Sequence, residues 1–230
     1  MDEVIAVEKA MLVRMMELAG MSYSASHPPL GGVIQVIDDG PTGVQCVLRR
    51  WGTRLSVVFR GSDAPIDWAH NLRFCKKVIP YGNTASPIRV HGGFLDAYKA
   101  PQIRLAIRRA VTADIRQVDL TGHSYGAALA LLCAVDLQYH FPTLDYTVAL
   151  FGCPRVGNRA FRASYDRRVF KTVRVEYGND IVTRLPFAWM GFRHVGARLH
   201  LGPPRLPFFP SLDDHRPQRY LAALLARLPG

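Results

Sequence analysis

The stretch DLTGHSYGAALAL, residues 119–131, sets Ser124 between Gly122 and Gly126, after a short apolar run and before a segment rich in Ala and Leu. A G-x-S-x-G pattern alone arises by chance, so its surroundings decide what it is. The preceding RQVDLTG (116–122) has the composition of a strand, and YGAALALLCAVDLQYH (125–140) has that of a helix. Strand, sharp turn and helix in immediate succession is the setting in which a serine is presented as a nucleophile. The helix N-terminus favours negative charge developing beside it. Gly122 and Gly126 fit this reading, because strand and helix backbones approach there too closely for side chains. A turn that merely contained a serine would need no helix behind it.

Outward from this stretch, short β-branched runs recur at 33–38, 44–50, 54–60, 146–152, 171–177 and 194–201, with helical segments at 158–168 and 214–228. Strands alternating with helices predict an α/β fold: one mostly parallel central sheet covered by helices on both faces. Residues 1–230 read as one domain, since repeats and long linkers are missing from the sequence. The one extended loop is the Pro-rich LGPPRLPFFPSLDD (201–214). Residues 1–22 read as an amphipathic first helix. Asp2 and Glu3 stand where a secretory signal carries positive charge, so the expectation is a chain that is cytoplasmic at synthesis.

Composition narrows the function classes. The chain is 49% hydrophobic, enough for a sizeable core, and has no apolar run of membrane-spanning length. Its formal charge is +11, but the basic residues are scattered and match no nucleic-acid-binding motif, so nucleic acid is not an expected partner. The excess charge instead suits a solvated basic surface or reversible attraction to anionic lipid interfaces. Cys46, Cys75, Cys133 and Cys153 form no C-x-x-C pair, which predicts buried thiols and no metal site.

A serine nucleophile needs a base, and the base needs an orienting carboxylate. Of the histidines after Ser124, His140 ends the nucleophile's own helix, His194 and His200 lie in or beside a predicted strand, and His215 lies where the Pro-rich loop meets the last helix. A loop residue reaches over a sheet edge more readily than a strand residue, which favours His215. For the acid, Asp180 follows the strand 171–177 at a carboxyl edge, where functional groups of such sheets gather. Asp145 precedes its strand and belongs at the wrong end, and Asp214 could equally cap the last helix.

Six places in order, the first made of two stretches, now spell out a family. VVFRGS (57–62) with DWAHNL (67–72), VHGGFLDAY (90–98), GHSYGAAL (122–129), FGCPRVGN (151–158), NDIVTRLP (179–186) and DHRPQRY (214–220) together resemble the class 3 lipases, the fungal-type triacylglycerol lipase and esterase group. The resemblance implies an α/β-hydrolase fold and a catalytic triad of Ser124, Asp180 and His215. It also implies an oxyanion hole from Ser62 and the backbone N–H of Tyr125, and a structural role for His91 at a helix start. The sequence departs from the family pattern at Tyr125 and Ala127, where Leu and Gly are usual, at Thr183, where Pro is usual, and at Cys153, where Ser or Thr is common. These departures bear on substrate range.

The expected function is therefore a serine carboxylic-ester hydrolase acting on lipid esters, with no cofactor or metal. A non-catalytic lipid- or protein-binding member of the fold, and a thioesterase or acyltransferase on the same scaffold, are the alternatives. Residues 63–74 are expected to form a short lid. Pro65 would start it, with Ile66, Trp68, Ala69 and Leu72 on one apolar face against the acyl pocket. The same stripe would suit a fixed helix that stays buried.

Overall fold

The computed structural model describes residues 8–23, 32–62, 77–204 and 209–227. In chain order the elements are helix α1 (Lys9–Met21), strands β1 (Val33–Asp39), β2 (Val44–Trp51), β3 (Arg54–Phe59), β4 (Lys77–Val78) and β5 (Val90–His91), and helices α2 (Gly92–Tyr98) and α3 (Pro101–Ala110). Strand β6 (Gln117–His123), helix α4 (Tyr125–His140), strand β7 (Asp145–Phe151), helix α5 (Arg159–Arg168), strands β8 (Thr172–Tyr177) and β9 (Ala197–Leu201) and helix α6 (Pro217–Leu225) complete the chain. Seven strands form one sheet in the order β1-β2-β3-β6-β7-β8-β9, while β4 and β5 pair separately. The first three are antiparallel neighbours, and within this sheet the pairings β3–β6, β6–β7, β7–β8 and β8–β9 are all parallel.

Parallel strands connected by helices are covered on both faces, and their side chains alternate between two cores. In β7, Val148 and Leu150 join the larger core under α2 to α5, whereas Ala149 and Phe151 join the smaller one under α1 and α6. Helix α4 is buried without a break from Gly126 to Leu137. That explains an Ala- and Leu-rich sequence with no polar stripe, since a helix buried on all sides shows no amphipathic period. Asp136 inside that run is held by Arg108 and by the Tyr98 hydroxyl at 2.7 Å. Cys46, Cys133 and Cys153 are buried thiols, and Cys75 lies outside the described residues. Among the described residues no helix is long and apolar enough to cross a membrane.

Two expected elements are shorter in the structure. The strand expected over 194–201 begins only at Ala197. The last helix begins at Pro217, because a proline at the first helical position needs no N–H acceptor; Asp213–His215 form a separate 3-10 turn before it. Asp214 consequently caps nothing in α6: its carboxylate accepts the backbone N–H of Asn179 at 2.8 Å. The described part of the first helix is Lys9–Met21. Residues 63–74, the expected lid, lie outside the described residues, as do Ile66 and Trp68.

Candidate active site

The carboxyl ends of β3, β6, β7 and β8 meet at one edge. Phe59 pairs with Gly122, His123 with Phe151, and Phe151 with Val175, so the loops leaving the four strands start side by side. Ser124 leaves β6 with φ 59° and ψ −125°, the one non-glycine residue with positive φ among the described residues, and its N–H is fixed by the Phe151 carbonyl at 2.9 Å. The two flanking glycines are required by space. A Cβ on Gly122 would fall 2.5 Å from the Gly126 carbonyl carbon, and one on Gly126 would fall 2.4 Å from the Phe59 carbonyl oxygen. Neither neighbour can yield, because both are backbone.

Asp180 follows β8 and is fully buried, and His215 reaches it from the turn before α6. The His215 Nδ1 lies 2.7 Å from Asp180 Oδ2. A carboxylate can only accept, so Nδ1 carries the proton and Nε2 presents a lone pair. Asp180 Oδ1 accepts the Val182 N–H at 2.8 Å, and the Tyr220 hydroxyl donates to Oδ2. Burial, together with the Asp180 charge, holds the Tyr220 phenol well above its ordinary range, so it stays protonated and remains a donor. Tyr220 is part of the quoted DHRPQRY segment but had no role in the sequence reading. Its position on the first turn of α6 after Pro217 is the only local signal.

Ser124 and His215 share one neighbourhood. The ring of His123, the residue before Ser124, lies 4.5 Å from that of His215. Gly152, next after the Phe151 that fixes Ser124, would place a Cβ 2.9 Å from His215 Cε1 and 3.1 Å from Asp180 Oδ2. Ser124 Oγ and His215 Nε2 are both buried, and neither has a hydrogen-bond partner among the described residues. Leaving such groups unmet costs about 1–3 kcal/mol each, a cost that folding alone would not retain.

Ser62 is half-buried just after Gly61, whose position against the His123 carbonyl brings the end of β3 beside the elbow. Tyr125 is the first residue of α4, where a backbone N–H has no intrahelical acceptor. His123 is excluded as the base: its Nδ1 lies 2.9 Å from the Tyr23 hydroxyl, and burial, reinforced by His215, drives its pKa well below the ordinary value. His91 caps α2 by accepting the Phe94 N–H at 3.3 Å. His194 Nε2 meets the Thr183 carbonyl at 2.8 Å, and His200 Nε2 the Gly178 carbonyl at 3.0 Å, so both brace the backbone around Asp180. Asp145 begins β7, at the opposite end of the sheet from Ser124. Phe192 is buried in the core, while Phe187, Trp189 and Phe209 are exposed.

Residues 56–190, more than half of the chain, match the family model described as lipase (class 3). The chain is similar to a lipase of Rhizomucor miehei, 36% identical over 148 residues, covering 61% of this chain and 39% of that protein. It is also similar to the chloroplastic phospholipase A(1) DAD1 of Arabidopsis thaliana, 32% identical over 157 residues, covering 60% of this chain and 35% of the other. The chain thus spans well under half the length of these two relatives. A solved triacylglycerol lipase, described as having a catalytic centre formed by a serine protease triad, superposes with a TM-score of 0.70 at 27% identity, covering 84% of this chain and 79% of that one. With its mostly parallel sheet, its serine elbow and these matches, the chain belongs to the class 3 lipase family and has the α/β-hydrolase fold.

Proposed function

We propose that the protein is a serine carboxylic-ester hydrolase acting on lipid esters through Ser124, His215 and Asp180. The observation that carries this reading is the pair of buried atoms Ser124 Oγ and His215 Nε2, each without a hydrogen-bond partner among the described residues, beside a His215 whose other nitrogen is committed to Asp180. In the proposed reaction Ser124 Oγ attacks the ester carbonyl carbon while His215 Nε2 takes the hydroxyl proton. Asp180 holds the imidazole tautomer and offsets its positive charge. The proton then passes to the departing alcohol as the acyl-serine forms, and water activated by His215 releases the acid and frees Ser124. The backbone N–H of Tyr125 and the Ser62 residue are the proposed donors to the oxyanion. Relatives named as lipase and phospholipase A(1) support lipid esters as the substrate class.

An outward aromatic pair supports contact with lipid surfaces. Phe187 and Trp189 stack with ring centroids 5.9 Å apart, and Trp189 is 82% exposed. A turn this greasy and this exposed beside the acid loop marks an interaction surface.

The test is a p-nitrophenyl ester series of increasing chain length. His215→Ala should lower kcat by at least about 10³-fold on protein that still folds, while His194→Ala should act through stability. The reversed pattern would move the base elsewhere.

A further inference from the structure

A cavity of about 180 Å³ lies apart from the serine edge, enclosed by the segment after β4 and by helices α2, α3, α4 and α5. Its α4 wall is Leu132, Val135 and Asp136, which stand roughly 12–18 Å along the helix from Ser124 at about 1.5 Å per residue. Leu95 and Phe161 add to its apolar lining.

Charge is distributed unevenly around this chamber. Asp136 is the carboxylate in its wall, and it is already engaged: Arg108 donates to both oxygens at 3.0 and 2.6 Å, and Tyr98 adds a bond at 2.7 Å. Arg168 is occupied as well, donating to the Gln138 side chain and the Val135 carbonyl. Lys99 touches the Pro80 carbonyl and stands 5.5 Å over the Tyr81 ring. Arg104 has no such commitment. Among the described residues it makes no ion pair, and its Nε is buried without a hydrogen-bond partner. Burial lowers the Lys99 pKa, and the Arg104 charge pushes it the same way against the opposing pull of Asp96 and Asp136. Two cations thus press on one another at the rim of an apolar chamber.

An apolar chamber with an uncompensated guanidinium in its wall selects a ligand that is greasy at one end and anionic at the other. We propose that this cavity is a second ligand site, taking a short alkyl carboxylate whose head is held by Arg104 and Lys99 and whose chain lies on Leu95, Leu132, Val135 and Phe161. At roughly 30 Å³ per small heavy-atom group, the volume corresponds to a chain of about six carbons. The assignment does not depend on the ester-hydrolase reading, because it is read by binding alone.

Hexanoate titrated into the isotope-labelled full chain, followed by amide shift mapping, tests it. Saturable shifts should centre on Tyr98, Arg104, Leu132 and Val135, and hexanol should bind at least about tenfold more weakly, because it lacks the charge. Arg104→Gln should fold, since this side chain bonds no described residue, and should weaken hexanoate binding by about tenfold or more. The hexanoate and hexanol comparison needs no variant and decides the matter even if Arg104→Gln misfolds. Shifts confined to Gly122–Tyr125, no saturable shifts, or equal binding of acid and alcohol would each overturn the proposal.

Discussion

Ser124 holds a backbone conformation that L-residues avoid, at a strain of about 1–3 kcal/mol, and buries a hydroxyl with no hydrogen-bond partner among the described residues. Both features work against folding, so the site should be locally less stable than a sequence chosen for folding alone. Glycine adopts positive φ freely, at an entropic cost of about 0.5–1 kcal/mol. Ser124→Gly should therefore raise the unfolding free energy by about 1 kcal/mol while abolishing ester hydrolysis, as read by urea unfolding and p-nitrophenyl ester turnover. A large loss of stability in the variant would mean that the elbow is held by the serine side chain and is not strained. At this scale the sequence was informative about Ser124, because strand, glycine and helix signals surround it within a few residues. Tyr220 and Tyr23 left no such mark. Their hydroxyls reach Asp180 and His123 across 40 and 100 residues of chain, and a long-range hydrogen bond has no local period to read.

At the scale of elements, the acid loop and the histidine segment behave as one unit. Ser211 N–H donates to the Asn179 carbonyl at 2.9 Å, Ile181 N–H to the Ser211 carbonyl at 3.1 Å, and Asp214 takes the Asn179 N–H. This backbone zipper sets the distance between Asp180 and His215. The sequence placed both residues on loops at the correct edge, but it read Asp214 as a possible helix cap because an Asp before a helix looks the same in either role. The end of the acid loop carries the Phe187–Trp189 pair on a turn held by Arg193, which donates to the Ala188 carbonyl at 2.6 Å, and by Lys77, which donates to the Met190 carbonyl at 2.9 Å. Held from behind and bare in front, Trp189 is the residue we propose to enter a lipid surface. Trp189→Ala should lower activity on an emulsified long-chain ester several-fold more than on a soluble short-chain ester. Equal effects on both substrates would place Trp189 in the acyl pocket or in the fold.

For the whole molecule, the sheet order was legible as a class and not in detail. The alternation of strands with helices predicted a mostly parallel sheet, which β3, β6, β7, β8 and β9 form. The antiparallel β1–β3 edge follows from short turns, Gly40–Gly43 and Gly52–Thr53, that only hairpins can use. Global stability should also carry a histidine signature. Burial, opposed by Asp96, lowers the His91 pKa from 6.5 to about 4, and His123 shifts in the same direction. Between those values the unfolded chain binds a proton on His91 that the folded chain refuses, so stability is present above about pH 6.5 and is lost as pH falls toward 4. At about 1.4 kcal/mol per pH unit, His91 alone should remove about 2 kcal/mol between pH 6.5 and 5. His91→Asn, which keeps an acceptor for the Phe94 N–H, should flatten the profile by that amount in urea unfolding. Parallel profiles for variant and native protein would show that His91 titrates normally.

Ser124 as nucleophile and His215 as its base can be tested together by labelling the folded protein with a fluorophosphonate probe and mapping the modified peptide. Stoichiometric label on Ser124 is expected, with labelling slowed at least about 10³-fold in His215→Ala protein that keeps its native fold. Label on another serine, or no label on protein that still hydrolyses p-nitrophenyl esters, would contradict this assignment.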